Sequence, residues 1–467
     1  MHITTIRKCF VTAFILLSGI QSFAQKKYQL TVKEAVELAF KNLADVKNAQ
    51  LDVQIQQAQN SEITGQALPQ VTGTASLSRY LKLPIILFPD ATSTAVYQIL
   101  KDEGVSNGSG QPITNVPQPK IQEVSFSQPW NTGAGATLTQ LLFQPDVFVG
   151  LQARKTALSV SKANLEVVKE RVKDSAYQRY YGILIAEKQS QFLKSGIDRL
   201  QKLYHDDSVM FKNGFAERLD LDKVQVQLTN LQTSYTILNN SISLAYAALK
   251  YSIGVSQKDT VVLKEGLSTA EVKRNILADS FKYEDRTEIQ ALLWTRNLQK
   301  LNVKRNRLGF LPTVSASASY NVQGQGQKFI TDNSTVWLRN SLVGVNLNLP
   351  IFTGFQRKYK IQQAELNLQK IDNTVDNLKQ VIDLQQTISK ESLKNAILNL
   401  DAQERNVQLA ENVYNTTKKK FESGLGSSFE VLQADNDWQT AQSNYFNGLY
   451  NAIVAKISYQ AALGKLP

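Results

Sequence analysis

At 467 residues the chain has room for two or three ordinary domains, and its formal charge of +12 arises from 52 basic residues set against 40 acidic ones. One cysteine and two histidines are too few for a disulfide framework, a zinc site or a Cys/His dyad. Lysines and acids interleave along helical patterns, with no aromatics between clustered basic residues. The charge therefore describes solvated helix faces and not a nucleic-acid surface.

Residues 1–24 read as a secretory signal: Arg7 and Lys8, an apolar run from Phe10 to Ile20, and Ser22, Phe23, Ala24 as a small-x-small cleavage site. The run is too short to span a bilayer as a helix. Cleavage removes Cys9, which does not follow the cleavage site and so predicts no lipid anchor. The mature chain keeps a charge of +10 and a single histidine, His205.

A first repeat is predicted over 25–254. It opens with a helix from Leu30, where Thr31 and Glu34 have the spacing of a capping box. The helix stops at Leu68-Pro69. The period then falls to two: Val71, Gly73, Ala75 and Leu77 alternate with Thr72, Thr74, Ser76 and Ser78, the pattern of a strand with two different faces. A long connection, 84–120, leads to a second strand candidate over 124–142, interrupted by Pro129. The strand pair thus occupies 71–142. A helix of roughly 100 Å follows over 147–211, then a tip over 212–220 and a returning helix to Gly254.

Residues 255–284 break the heptads and form a connector, with Thr260–Leu263 a short strand candidate. The second repeat, 285–464, gives the same order. Its helix ends at Leu311-Pro312, a strand pair occupies 313–349, a long helix 355–421 and a tip 422–430. The last helix carries a 3.5-residue seam through Val431, Ala434, Trp438, Ala441, Tyr445, Gly448, Ala452, Ala455, Tyr459 and Ala462. A second stripe of Phe446, Leu449, Ile453 and Ile457 predicts partners on two sides. Shifting back by 210 positions superposes Phe421 on Phe211, Gly424 on Gly214, Glu430 on Asp220 and Gly464 on Gly254. The chain is an internal duplication.

Strands of about ten residues with apolar and polar faces have the length and dyad of membrane-spanning β-segments. A bilayer admits no open sheet edge, and the smallest bacterial barrels need about eight strands. Four strands per chain would then require several copies, and three copies giving twelve strands suit a wide lumen. The competing reading is a soluble helical protein with two small hairpins.

The order helix, hairpin, long helix, turn and returning helix, given twice, resembles the outer-membrane efflux duct (TolC) family. The turns FKNGFAERLD and FESGLGSSFEVLQAD, the ending YQAALG, the Leu-Pro exits and Pro350-Ile351-Phe352-Thr353-Gly354 carry the likeness, which covers nearly all of the mature chain. The resemblance implies a mainly α fold with a membrane β part. In it, duplicated helical hairpins build a periplasmic α-barrel, and four strands per chain contribute to a 12-stranded β-barrel of a homotrimer in outer-membrane lipid. It implies a passive exit duct of a tripartite efflux or type I secretion system, docked on a periplasmic adaptor and through it served by an inner-membrane pump.

By the same resemblance, Gly214, Phe215, Gly424 and Leu425 sit where the family meets its adaptor; as sequence alone, the glycines are also helix C-caps. Glu430, with Asp220 its counterpart, falls where the family carries an acid ring at the periplasmic mouth. Both acids equally suit helix N-termini. Gln433 stands where the family has a companion acid, and Asp435 and Asp437 lie off that register. Trp130 and Trp337, then Tyr80 and Tyr320, are candidates for interface anchors or for core packing. No nucleophile with a paired base and no phosphate loop occurs, so neither an enzyme nor a cofactor is expected. The alternative function is a trimeric, outer-membrane-anchored stalk without transport. A diffusion porin would need many more strands per chain.

Overall fold

The computed structural model describes residues 26–264, 266, 273–274, 281–329, 333 and 335–467. The signal-like segment 1–24 lies outside the described residues. Contacts divide the chain into two units: Met1–Gln59, Ala153–Leu301 and Gln363–Pro467 in one, Asn60–Gln152 and Asn302–Gln362 in the other.

The first unit is helical. Strand β1 (Lys27–Leu30) leads into α1 (Val32–Asn42), where Thr31 and Glu34 close a complete capping box. The long helix expected from Leu30 is in fact two. Leu43 takes an extended ψ of 134° and α2 (Ala44–Gln66) begins beyond it. The break lies against a chain end: a Cβ on Gly254, which sits at φ +66°, would stand 2.7 Å from Asn42 Cβ and 3.0 Å from the Leu43 nitrogen. Only a glycine allows both that conformation and that approach.

Helices α4 (Pro145–Lys212) and α5 (Arg218–Ser252) form the first hairpin, and α7 (Gln356–Glu422) and α8 (Ser428–Ala462) the second. Between them lie β6 (Thr260–Leu263), a 3-10 turn (Tyr283–Asp285) and α6 (Thr287–Leu308). β6 pairs in parallel with β1, from Lys27 opposite Thr260 to Leu30 opposite Leu263.

The core gathers Ala35 and Ala39 of α1, Tyr180 and Ile183 of α4, Leu249 of α5, Leu400 of α7 and Ala452 and Ile453 of α8. Burying each large apolar side chain contributes about 1.5–3 kcal/mol. The Tyr180 hydroxyl, wholly buried, donates to the Leu30 carbonyl at 2.9 Å. Along α8 the second stripe, Phe446, Leu449, Ile453 and Ile457, is fully buried. Tyr445, Ala455 and Tyr459 of the 3.5-residue seam are only half-buried.

The second unit holds an antiparallel sheet ordered β2 (Gln70–Arg79), β5 (Trp130–Phe143), β7 (Thr313–Gly326), β8 (Val336–Asn348). The register sets like residues side by side. Val71, Leu138, Ala318 and Val343 share one row and one face; Thr72, Thr137 and Ser319 share a row on the other. One face is mostly apolar and the opposite one mostly polar, with Leu342 opposite Ser319 and Arg339 opposite Val322 as exceptions in β8. β5 starts directly after Pro129, whose carbonyl accepts from the Tyr80 amide at 2.8 Å. A proline cannot donate to a ladder, so the strand cannot begin at Val124. A register shift between Leu141 and Phe143 marks a bulge at the far end of β5.

Beside the four-stranded sheet, the described residues form two further sheets of two strands each. The connection 84–120 is not structureless. β3 (Ile86–Asp90) pairs antiparallel with β4 (Lys120–Val124), and α3 (Ala91–Asp102) lies between them in sequence.

Candidate functional site

Both hairpins turn through the same backbone motif. At the first tip Gly214 takes φ +79°, and its amide donates to the Phe211 carbonyl at 3.0 Å while the Phe215 amide reaches Met210 at 2.9 Å. At the second tip Gly424 takes φ +76°, with Gly424 bonded to Phe421 at 2.9 Å and Leu425 to Lys420 at 3.0 Å. These are paired Schellman closures, in which the left-handed glycine lets two amides satisfy the last free carbonyls. The residue after each glycine is largely exposed: Phe215 to 80% and Leu425 to 76%.

The returning helices start differently. Ser427 caps α8, its hydroxyl accepting from the Glu430 amide at 3.2 Å. Its counterpart Glu217 makes no side-chain cap to α5. The carboxylate of Glu430 reaches back across its turn to Lys420 at 3.3 Å, and Asp220 pairs with Lys223 at 3.4 Å. Each acid is therefore held inside its own hairpin. Lys223 also lies 4.5 Å from the ring centre of Phe429. Among the described residues no group of three or more His, Cys, Asp or Glu could hold a metal ion, and His205 is an exposed residue of α4.

Behind the tips a second core packs Leu200 and Leu203 of α4, Val224, Leu228 and Leu231 of α5, Tyr414 of α7 and Val431, Leu432 and Ala434 of α8. Two polar features interrupt it. The Arg199 guanidinium bonds to Asp435 at 2.8 Å and sits 4.2 Å from the Trp438 ring centre, with Phe192 and Tyr414 at 5.4 and 5.5 Å. Asp207, near the end of α4, is 1% exposed, and neither of its carboxylate oxygens has a hydrogen-bond partner. Sequence reasoning singled out neither Arg199 nor Asp207 and set Asp435 aside. The signal was there: the duplication places Leu409, Thr417 and Gln225 at the matching positions, so these three charges break the repeat.

The family model for outer membrane efflux proteins matches residues 283–465. The second repeat thus resembles the outer membrane efflux family. Relatives of this efflux family extend the likeness beyond the second repeat. The outer membrane protein TolC of Vibrio cholerae is 19% identical over 71% of this chain and 76% of its own length. The TolC of Escherichia coli is 18% identical over 72% and 70%. The solved CmeC outer membrane channel of Campylobacter jejuni matches with a TM-score of 0.70 at 19% identity, over 93% of this chain and 85% of that one. At such identity the structural match shows the fold alone, and the fold is that of an outer membrane channel.

No helix among the described residues is long and apolar enough to cross a membrane.

Proposed function

We propose that this outer-membrane protein is the exit duct of a tripartite efflux or type I secretion system. It conducts substrates passively from a periplasmic adaptor and inner-membrane pump to the outside. The observation that carries the reading is the four-stranded sheet. Its edge strands, Gln70–Arg79 and Val336–Asn348, each lack a second partner among the described residues, and Val71, Val343, Val345 and Leu347 on the apolar face are 66–81% exposed.

Unpaired strand edges in hydrocarbon cost several kcal/mol for each unsatisfied group, so other copies must complete the sheet. Three copies would supply twelve strands and a lumen lined by the polar face, with Thr72, Thr137 and Ser319 towards water. The duplicated tips would face the adaptor, offering Phe215 and Leu425 beside Gly214 and Gly424. Glu430 and Asp220 would ring the periplasmic mouth, where repeated carboxylates favour cations. Domain roles follow the two repeats, 25–254 and 285–464, with 255–284 as the connector.

The test is the mass of the purified, detergent-solubilised protein. Three chains per particle support the closed barrel. A stable monomer leaves both sheet edges open and overturns the reading.

A further inference from the structure

A buried carboxylate without a partner is costly, since it gives up its hydration and gains no hydrogen bond in return. Asp207 is such a group, and it stands where the two hairpins meet. It lies five residues before the end of α4, and on α8 the Ser428 hydroxyl, itself buried, faces it without closing a bond of normal geometry. The charged neighbours are all acids: Asp206 on its own helix and Asp220 on α5. The lysines of the tips are paired elsewhere, Lys223 with Asp220 and Lys420 with Glu430.

We propose that Asp207 is a proton-operated clasp between the two hairpin tips. With its proton, the carboxyl donates to the Ser428 hydroxyl and holds the first turn of α8 against α4. When the proton passes to water, a charge is left among Asp206 and Asp220 with the Ser428 hydroxyl as its one donor and no cation to neutralise it, and the tips loosen.

The charge balance runs the same way. Burial pushes the Asp207 carboxyl above the ordinary aspartate range, the Ser428 hydroxyl draws it partly back, and Asp220 and Asp206 push it up again. A raised value in the folded state means stability that is complete at low pH and is lost as pH rises through that value. The clasp therefore tightens on acidification, the reverse of what a salt-bridged aspartate does. Its bearing on channel opening rests on the duct reading; the clasp itself does not.

The test is hydrogen exchange of the full-length protein in detergent at about pH 5 and about pH 8, corrected for intrinsic rates, over peptides spanning 203–224 and 421–436. In the natural protein, protection of both peptides falls roughly three-fold or more at the higher pH. Asp207→Asn, neutral and of the same shape, keeps both tips protected at either pH. Ser428→Ala, which lacks the acceptor, leaves them loose at either pH. Unchanged pH dependence in either variant, or none in the natural protein, overturns the clasp. Bilayer conductance of the same samples separates the two readings: a protein that never conducts but keeps the exchange pattern sinks the duct and leaves the clasp standing.

Discussion

Arg199 of α4 and Asp435 of α8 form an ion pair at 2.8 Å inside an aromatic cage, with Trp438 and Tyr414 stacked at 5.2 Å and Phe192 edge-on to Trp438 at 5.4 Å. Asp435 is 1% exposed and also accepts a short bond from Gln439. Three helices from both hairpins meet at this node. A buried charge is tolerated only with a partner, and here the guanidinium adds stacking to charge, although its Nη2 and the Trp438 Nε1 are left without hydrogen-bond partners.

Removing one partner should cost more than removing both. Asp435→Ala strands a cation in the cage and is expected to lower stability by about 3–5 kcal/mol. Arg199→Leu with Asp435→Leu restores packing without charge and should lose far less. Thermal unfolding followed by circular dichroism checks the order. A double variant as unstable as Asp435→Ala would mean that the pair stabilises in its own right.

Much of this fold is legible in the sequence because its periods are local. The alternation of Val71 to Ser78 is a property of neighbours, and so are the Thr31 and Glu34 spacing and the glycines at both tips. What was missed depends on residues far apart in the chain. β1 is four residues long and acquires strand character only by pairing with β6, over 230 positions away. The 84–120 segment hides a hairpin because Ile86, Leu87 and Phe88 are all exposed in it, giving no alternation to read. Arg199 and Asp435 are ordinary helix residues until two hairpins bring them together. Their one local mark is that neither has a charged counterpart one repeat away.

Gly135 should resist the smallest substitution. A Cβ there would lie 2.0 Å from Asn321 Oδ1 and 3.0 Å from the Tyr320 carbonyl oxygen on the neighbouring strand β7. Gly135→Ala forces the Asn321 side chain aside, at a cost of about 1–3 kcal/mol. Adding Asn321→Ser shortens the obstructing side chain and should recover most of the loss. The midpoint of thermal loss of β-structure reads both; no recovery in the double variant would place the obstruction at the Tyr320 backbone.

The α1 capping box predicts an acid-sensitive helix start. The Thr31 amide, at 2.7 Å, and its hydroxyl hold the Glu34 carboxyl below the ordinary glutamate range. A depressed value contributes stability above the ordinary range that is lost as pH falls through the folded value. Exchange of the first-turn amides of α1 should therefore speed up on acidification, after correction for intrinsic rates. Glu34→Ala should exchange fast at every pH, with no further acid dependence.

Glu430 should govern ion preference without governing stability. Glu430 and Lys420 are both about half exposed, at 48% and 53%, so their pair at 3.3 Å adds little to folding. In planar bilayers under a potassium chloride gradient, Glu430→Ala is expected to shift the reversal potential towards anions, and Lys420→Ala towards cations. Asp220→Ala should act in the same direction as Glu430→Ala but more weakly, because Asp220 is less exposed and lies against Lys223. Unchanged reversal potentials in a conducting channel would reduce both acids to partners of helix N-termini. The mouth of the duct would then owe its selectivity to other residues.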